Sequence, residues 1–263
     1  MVDPDLPRPL SYHERTNHTL PPDKNTMQEY FDNLTTHAQL HKMVISDEKS
    51  KVMLFNQGRN FDFLPTIKTK NGDLLQTVDV MRLLGLVIRS DLRWQDNTNE
   101  MCRKAYSRLW MIRNLKKLGV GEYDLLDVYN KQCRSILEQA VPVWAAGITR
   151  KECKQIERVQ KTALAIILGK AYESYNQGLQ KLCVESLEIR RKNICLKFAK
   201  QAQKSDRFCK WFTYNTEPEP NMKTRHVEKS RNTFKPVKTR TKRFQHSSLP
   251  YLTNLLNEHY RQK

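Results

Sequence analysis

The sequence predicts an α+β beginning, a mainly α-helical domain after it, and a basic, disordered tail. Three observations predict this. Apolar residues recur at helical spacing from Asn25 to His41, change to short extended runs up to Trp94, and return to helical spacing as far as Lys204. Asn71-Gly72 and Gly85 punctuate the extended part. Lysine and arginine outnumber the acids 46 to 28, a formal net charge of +18, and the stretch from Met222 to Gln245 holds nine basic residues and one acid.

The elements follow in order. Residues 1–24 are proline-rich and aperiodic and read as an irregular lead-in. Asn25 and Gln28 form a capping-box pair, and Met27, Tyr30, Phe31, Leu34, Ala38 and His41 give the helix after them one apolar face. KVMLF (Lys51–Phe55) is a short strand, and TIKTKNGDLL (Thr66–Leu75) turns at Asn71-Gly72. RLLGLVI (Arg82–Ile88) is a further buried strand whose Gly85 marks a bulge or a close approach. Residues 25–94 thus form the α+β unit.

Residues 95–212 form the helical domain. Asn99 caps a helix that carries Met101, Ala105, Leu109 and Ile112 on one side and ends at Gly119. A second helix spans Glu122 to Ala140, burying Leu125, Leu126, Val128, Tyr129, Ile136 and Leu137, with Pro142 after its end. Thr149 and Glu152 form a capping box for a third, which buries Ile156, Val159, Ala163, Leu164 and Ile167 and stops at Gly169. Shorter and longer helices follow near Tyr175–Leu182 and Ser186–Lys204. Residues 213–248 read as a disordered basic linker, and residues 249–263 carry a last helix with Leu252, Leu255 and Leu256 on its apolar face.

A surface this basic attracts polyanions and releases their counterions, so RNA or DNA is the expected partner. The six cysteines lie far apart, without a C-x-x-C pair, and read as reduced thiols rather than a zinc or disulfide framework. No run approaches the roughly 18 apolar residues of a membrane span, and MVDPDLPRPL lacks the charged-then-apolar pattern of a signal peptide. The expectation is an intracellular protein, nuclear or cytoplasmic, with no membrane. Oligomeric state is not legible. Neither a G-x-S-x-G elbow nor a G-x-x-x-x-G-K loop occurs.

KSKVMLFN (Lys49–Asn56) and RLLGLVIRSDLRW (Arg82–Trp94) resemble, in order and spacing, the blocks after the catalytic strand of non-LTR retrotransposon reverse transcriptases. The downstream runs KAYSRLWMIRNLKKLG, LLDVYNKQCRSILEQAVPVW and QIERVQKTALAIILG look like the thumb and adjoining helices of LINE-type polymerases. The resemblance covers nearly the whole ordered chain. It implies that the first unit is the end of a palm and the helical domain a thumb. Lys49 and Lys51 would then stand near phosphate, and the RLLGLVI block would be a hairpin in which Leu84, Gly85, Leu86, Val87 and Ile88 form a primer grip.

Polymerisation by two metal ions needs carboxylates that hold both cations, and the family takes them partly from an aromatic-x-Asp-Asp strand. This sequence contains no Asp-Asp dipeptide, and the matching blocks lie past that strand. The expectation is a chain with no catalytic residue, metal or cofactor of its own, unable to polymerise.

Ser90 to Thr149 is also similar to the N-terminal module of an AlkB-homologue RNA-modifying protein. That label would imply iron, 2-oxoglutarate and methyl transfer. An iron facial triad wants His-x-Asp or His-x-Glu with a distant second histidine, and none of the seven histidines is expected to begin one. A methyltransferase wants a glycine-rich turn after a strand, and none of the eight glycines is so arranged.

Among single features, Arg103, Lys104, Arg108, Arg113, Lys116 and Lys117 cluster on one helix beside the grip-like block and are the expected nucleic-acid contacts. Trp94, Trp110 and Trp144 could stack on bases, but core packing is the expected use: Trp110 shares its helix with Met111 and Leu115, and Trp144 ends an apolar patch.

Overall fold

A computed structural model describes residues 24–55, 66–214, 233–239 and 241–262. Contact density divides the chain after Val80 into two units. The sequence predicts the change at Trp94; the division falls earlier because the RLLGLVI block packs on the first long helix that follows it.

In the first unit, α1 (Lys24–Leu40) and the strands β1 (Lys51–Val52) and β2 (Gln76–Thr77) enclose a small core of Val52, Ile67 and Leu75, with Met27 and Phe31 against it. β1 and β2 are parallel, with Lys51 opposite Gln76 and Val52 opposite Thr77. The Asn71-Gly72 turn is present. Thr69 N–H donates to Asp73 O at 2.8 Å, and Gly72 sits at φ +87°. The Asn25–Gln28 capping box is not how this helix starts. α1 already begins at Lys24, and Gln28 uses its amide on the backbone of Lys68: Nε2 donates to Lys68 O at 2.9 Å, and Oε1 accepts from Lys68 N at 2.8 Å. The Asn25 side chain lies outside the described residues.

The second unit begins with a hairpin, β3 (Val80–Leu83) and β4 (Leu86–Arg89), where the residue pattern alone predicts one buried strand and the resemblance implies a hairpin. The two-residue link, Leu84 at φ +49° and Gly85 at φ +86°, has the positive φ pair that a tight hairpin of right-handed twist requires. Gly85 is also a close approach, because a Cβ there would lie 2.6 Å from Nε2 of Gln139.

The helices follow: α2 (Gln95–Lys117), α3 (Glu122–Tyr129), a π-turn (Asn130–Arg134) running into α4 (Ser135–Leu137), α5 (Val141–Trp144), α6 (Arg150–Leu168), α7 (Tyr175–Lys181) and α8 (Leu187–Lys204). The Thr149–Glu152 capping box opens α6: Glu152 N–H donates to Thr149 Oγ1 at 3.3 Å, and Thr149 N–H to Glu152 Oε2 at 2.5 Å. Ile156, Val159, Ala163, Leu164 and Ile167 are all buried as their spacing predicts. α2 starts four residues before Asn99, whose side chain instead accepts from Gln155 Nε2 at 3.0 Å.

The single helix expected from Glu122 to Ala140 is interrupted by the π-turn. The extra residue per turn brings Cys133 into the core below Leu125 and Tyr129, and Leu137 continues the same buried row. Pro142 does not merely follow that helix; it enters the first turn of α5, where its missing N–H costs nothing. The core contains a buried polar chain. Tyr129 OH donates to Gln160 Oε1 at 2.9 Å, Gln160 Nε2 donates to Tyr175 OH at 3.1 Å and to Glu185 O at 2.9 Å, and Tyr175 OH donates to Glu157. Burial pushes both phenols above their ordinary range. It also pushes the thiols of Cys102, Cys133 and Cys195 up to about 11, so they stay protonated at neutral pH.

The described part of the expected linker is anchored. Phe234 is fully buried between rings of Phe212, Tyr214 and Tyr260, and Asn257 takes both its backbone groups, accepting from Phe234 N at 2.7 Å and donating to Phe234 O at 3.0 Å. Asn257 belongs to α10 (Ser248–Arg261), which follows the short α9 (Lys242–Gln245) and lays Leu252 and Leu256 against α8. Residues 215–232 and 240, most of the predicted linker, lie outside the described residues.

Candidate nucleic-acid interface

α2 turns Met101, Cys102, Ala105, Leu109 and Ile112 inward, all buried, at the three- and four-residue steps of an amphipathic helix. The opposite stripe, at the same steps, is Arg103, Tyr106, Trp110, Arg113 and Lys117. Trp110 is 66% exposed and Tyr106 39%. The packing expectation therefore holds for Trp94 and Trp144, which are buried, and fails for Trp110. Of its neighbours, Leu115 packs against the core and Met111 is half-buried.

Of the six cations expected to act together, three share the exposed stripe and the other three do not. Arg103, Arg113 and Lys117 stand exposed on the stripe, in no ion pair among the described residues. Arg108 is exposed on the far flank, toward Cys133. Lys104 is paired with Glu100 at 2.9 Å, and Arg82 of β3 reaches both oxygens of the same carboxylate at 2.5 and 2.7 Å. The Lys104 hydrogen bond and the charges around it hold Glu100 below the usual carboxylate range. Lys116 is structural: its Nζ donates to Ile167 O at 2.5 Å, satisfying a carbonyl at the end of α6. Gly169 lies beside it at φ +56°, a conformation that favours glycine, and a Cβ there would displace the flexible end of Lys116, 2.7 Å away.

α6 completes the surface. Lys151, Lys154, Arg158 and Lys161 are exposed at three- and four-residue steps opposite its buried row, and none stands in an ion pair among the described residues. Lys161 Nζ sits 5.1 Å from the Tyr175 ring centroid. The Asn99–Gln155 bond at one end and the Lys116–Ile167 bond at the other show that α2 and α6 run side by side in the same direction. Seven cations and two exposed rings therefore share one two-helix face. Between Arg103 and Lys117 and between Lys151 and Lys161, the carboxylates are Glu152, buried in its capping box, and Glu157, bonded to Tyr175 and to Leu187 N. Both are held by neutral donors and form no ion pair with the stripe, which keeps a net excess of five positive charges over them. The α6 half was readable from the spacing Lys151, Lys154, Arg158, Lys161, which is complementary to the buried row already assigned.

The grip-like block sits at the edge of the same unit. Leu86 is buried and Val87 and Ile88 are half-buried, while Leu84 is 89% exposed at the tip. Three polar contacts fix the hairpin: Arg82 to Glu100, Val87 N–H to Asn97 Oδ1 at 3.2 Å, and Gln139 Nε2 to Leu84 O at 3.1 Å. A leucine held at positive φ in solvent is unfavourable in itself, and the clamp keeps it there. Lys49 and Lys51 belong to the other unit and are both exposed; Lys51 lies on β1 with its neighbour Val52 in the small core.

On α8, Lys197, Lys200 and Lys204 line an open groove of about 260 Å³ with Asn193, Leu196 and Gln201. This second basic strip has no exposed aromatic residue among its lining groups.

Among the described residues no group of three or more histidines, cysteines or carboxylates is placed to hold a metal ion, and no helix is long and apolar enough to cross a membrane. One expectation about histidine needs correction: His226-Val227-Glu228 does have the His-x-Glu spacing. It lies outside the described residues, and Ser90 to Thr149, the AlkB-homologue-like span, contains no histidine. No family model matches the chain, and no curated protein and no solved structure matches it either.

Proposed function

We propose that this chain is a nucleic-acid-binding part of a non-LTR-retrotransposon-type reverse transcriptase, with residues 25–94 corresponding to the end of its palm and the helices to its thumb. The resemblance of the KSKVMLFN and RLLGLVIRSDLRW blocks supports the family. The observation that carries the binding is the α2–α6 face, where seven cations stand together, none in an ion pair among the described residues. An RNA or DNA partner and an intracellular site, nuclear or cytoplasmic, go with this reading. No polymerase step is assigned to the chain, because its sequence offers no Asp-Asp pair for two cations.

Filter binding of a primer–template duplex across a potassium chloride series tests it. Log affinity should fall linearly with log salt, and each phosphate contact removed should flatten the slope by about 0.9. Replacing Arg103, Arg113 and Lys117 together by alanine, or Lys151, Lys154 and Arg158 together, should each weaken binding and reduce the slope. The α8 triple Lys197→Ala, Lys200→Ala, Lys204→Ala should leave more of it. Absence of binding at low salt, or a slope untouched by both face variants, would overturn the proposal.

A further inference from the structure

The chemistry of the α2 stripe is more specific than charge. Tyr106 and Trp110 are one helical turn apart, about 6 Å along the axis, and both rings are exposed between Arg103 on one side and Arg113 and Lys117 on the other. An exposed indole this large is normally withdrawn from water, as the buried Trp94 and Trp144 of the same unit are. The core makes no use of it: the inward row of α2 is filled by Leu109 and Ile112. The indole N–H of Trp144 is bonded to Gln139 O at 2.8 Å and fixes that ring.

We infer that the α2–α6 face takes single-stranded nucleic acid in preference to duplex, with one base stacked on Trp110 and its neighbour on Tyr106. This inference rests on the nucleic-acid reading above and names the form of ligand. In a duplex the base faces are covered by stacking at about 3.4 Å per step, so an exposed ring finds only the backbone and groove edges. A single strand presents base faces, and two rings carried by residues about 6 Å apart along the helix axis can each take one base of a strand that is not stacked in B-form. The cations then follow the backbone on both sides of the rings: Arg103, Arg113 and Lys117 from α2, and Lys151, Lys154, Arg158 and Lys161 from α6. Stacking is blind to sequence, because every base has a π-face, so the preference is for strandedness rather than for a motif.

The test compares a labelled 15-nucleotide oligo-dT with a blunt duplex of equal length, bound by the full chain at matched salt. The single strand should bind more tightly and quench tryptophan emission. Trp110→Ala should weaken single-strand binding by about 5- to 150-fold, the range for a base–aromatic stack, and leave duplex binding unchanged. Trp110→Phe, which keeps a ring, should retain most of the affinity and lose most of the quench. Duplex preferred over single strand, with Trp110→Ala neutral toward both, would overturn this inference and leave the nucleic-acid reading standing. Displacement of oligo-dT by poly-glutamate as readily as by unlabelled oligo-dT of equal charge would also overturn it, since an acidic polypeptide then satisfies the face without stacking. Binding of neither probe at low salt would overturn the nucleic-acid reading itself.

Discussion

The inward and outward faces of α2 use the same residue types differently. Inward, Lys116 spends its ammonium on the Ile167 carbonyl, and in the core this helix packs against Trp144 is fully buried with its N–H bonded. Outward, Lys117 and Trp110 are exposed, with neither an ion pair nor a side-chain hydrogen bond shown for them. A buried polar atom must be paired because desolvation is otherwise uncompensated, whereas an exposed one remains available to a ligand. Counting basic residues on a helix therefore overstates an interface: of the six on α2, one is an end-cap for α6 and one neutralises Glu100.

The two tryptophans give the largest expected contrast. Trp144→Ala should cost about 3 to 5 kcal/mol by urea unfolding, from lost burial plus the cavity left behind. Trp110→Ala should stay within about 0.5 kcal/mol of the parent, as surface substitutions do. A cost at Trp110 approaching that at Trp144 would mean that the exposed ring is structural, and the two faces would no longer differ in the way argued.

The lysines sharpen the same contrast at smaller size. Lys116→Met keeps the stem and removes the ammonium, leaving a half-buried carbonyl at the end of α6 without its partner. The expected loss is about 1 to 3 kcal/mol, with little change in the salt slope of binding. Lys117→Met should do the reverse, leaving the urea midpoint in place and reducing the salt slope by about 0.7 for a single strand. Equal effects of the two substitutions on both measurements would erase the distinction.

Most helices of the second unit were legible because each buried row repeats at three or four residues and ends on a strong signal, as with Thr149, Glu152 and Gly169 around α6. What was not legible depends on contacts between distant residues. Gln28 looks like a capping residue and is drawn to Lys68, forty positions away. Arg82 to Ile88 reads from its residue pattern as one apolar strand, and the hairpin that the resemblance implies forms through the positive φ values at Leu84 and Gly85. Cys133 continues the four-residue steps of Leu125 and Tyr129, but nothing in that spacing shows the π-turn at Asn130–Arg134 that carries it. Phe234 stands in a basic, proline-containing stretch and is buried through the rings of Phe212, Tyr214 and Tyr260 and the hold of Asn257 on its backbone, all distant in sequence. At the candidate interface, the charge of α2 was readable, but its division into free and committed lysines and the adjacency of the α6 stripe are tertiary facts. The exposure of Trp110 is another, since the sequence shows an aromatic beside apolar neighbours and gives no sign of the direction it faces.

Glu100 offers the smallest test, on the flank of α2 that neither faces the core nor joins the stripe. Its hydrogen bond from Lys104, and the charges of Lys104, Arg82 and Arg103, favour the ionised form in the fold, so its folded value lies below the ordinary 4.5. A carboxylate with a depressed folded value contributes stability above its unfolded value and loses that contribution as the pH falls through the folded one. Glu100→Gln should therefore lower stability slightly at pH 7, within the roughly 0 to 1 kcal/mol of surface ion pairs, and narrow the gap to the parent below about pH 4.5. Urea melts at pH 7 and pH 3.5 would show it. Because this carboxylate clamps Arg82 on the hairpin and Lys104 on α2, the same substitution should leave the salt slope of single-strand binding unaltered or make it slightly steeper, as Lys104 is freed. A flatter slope would mean that the committed flank already belongs to the interface, and the boundary between the two uses of α2 would have to move.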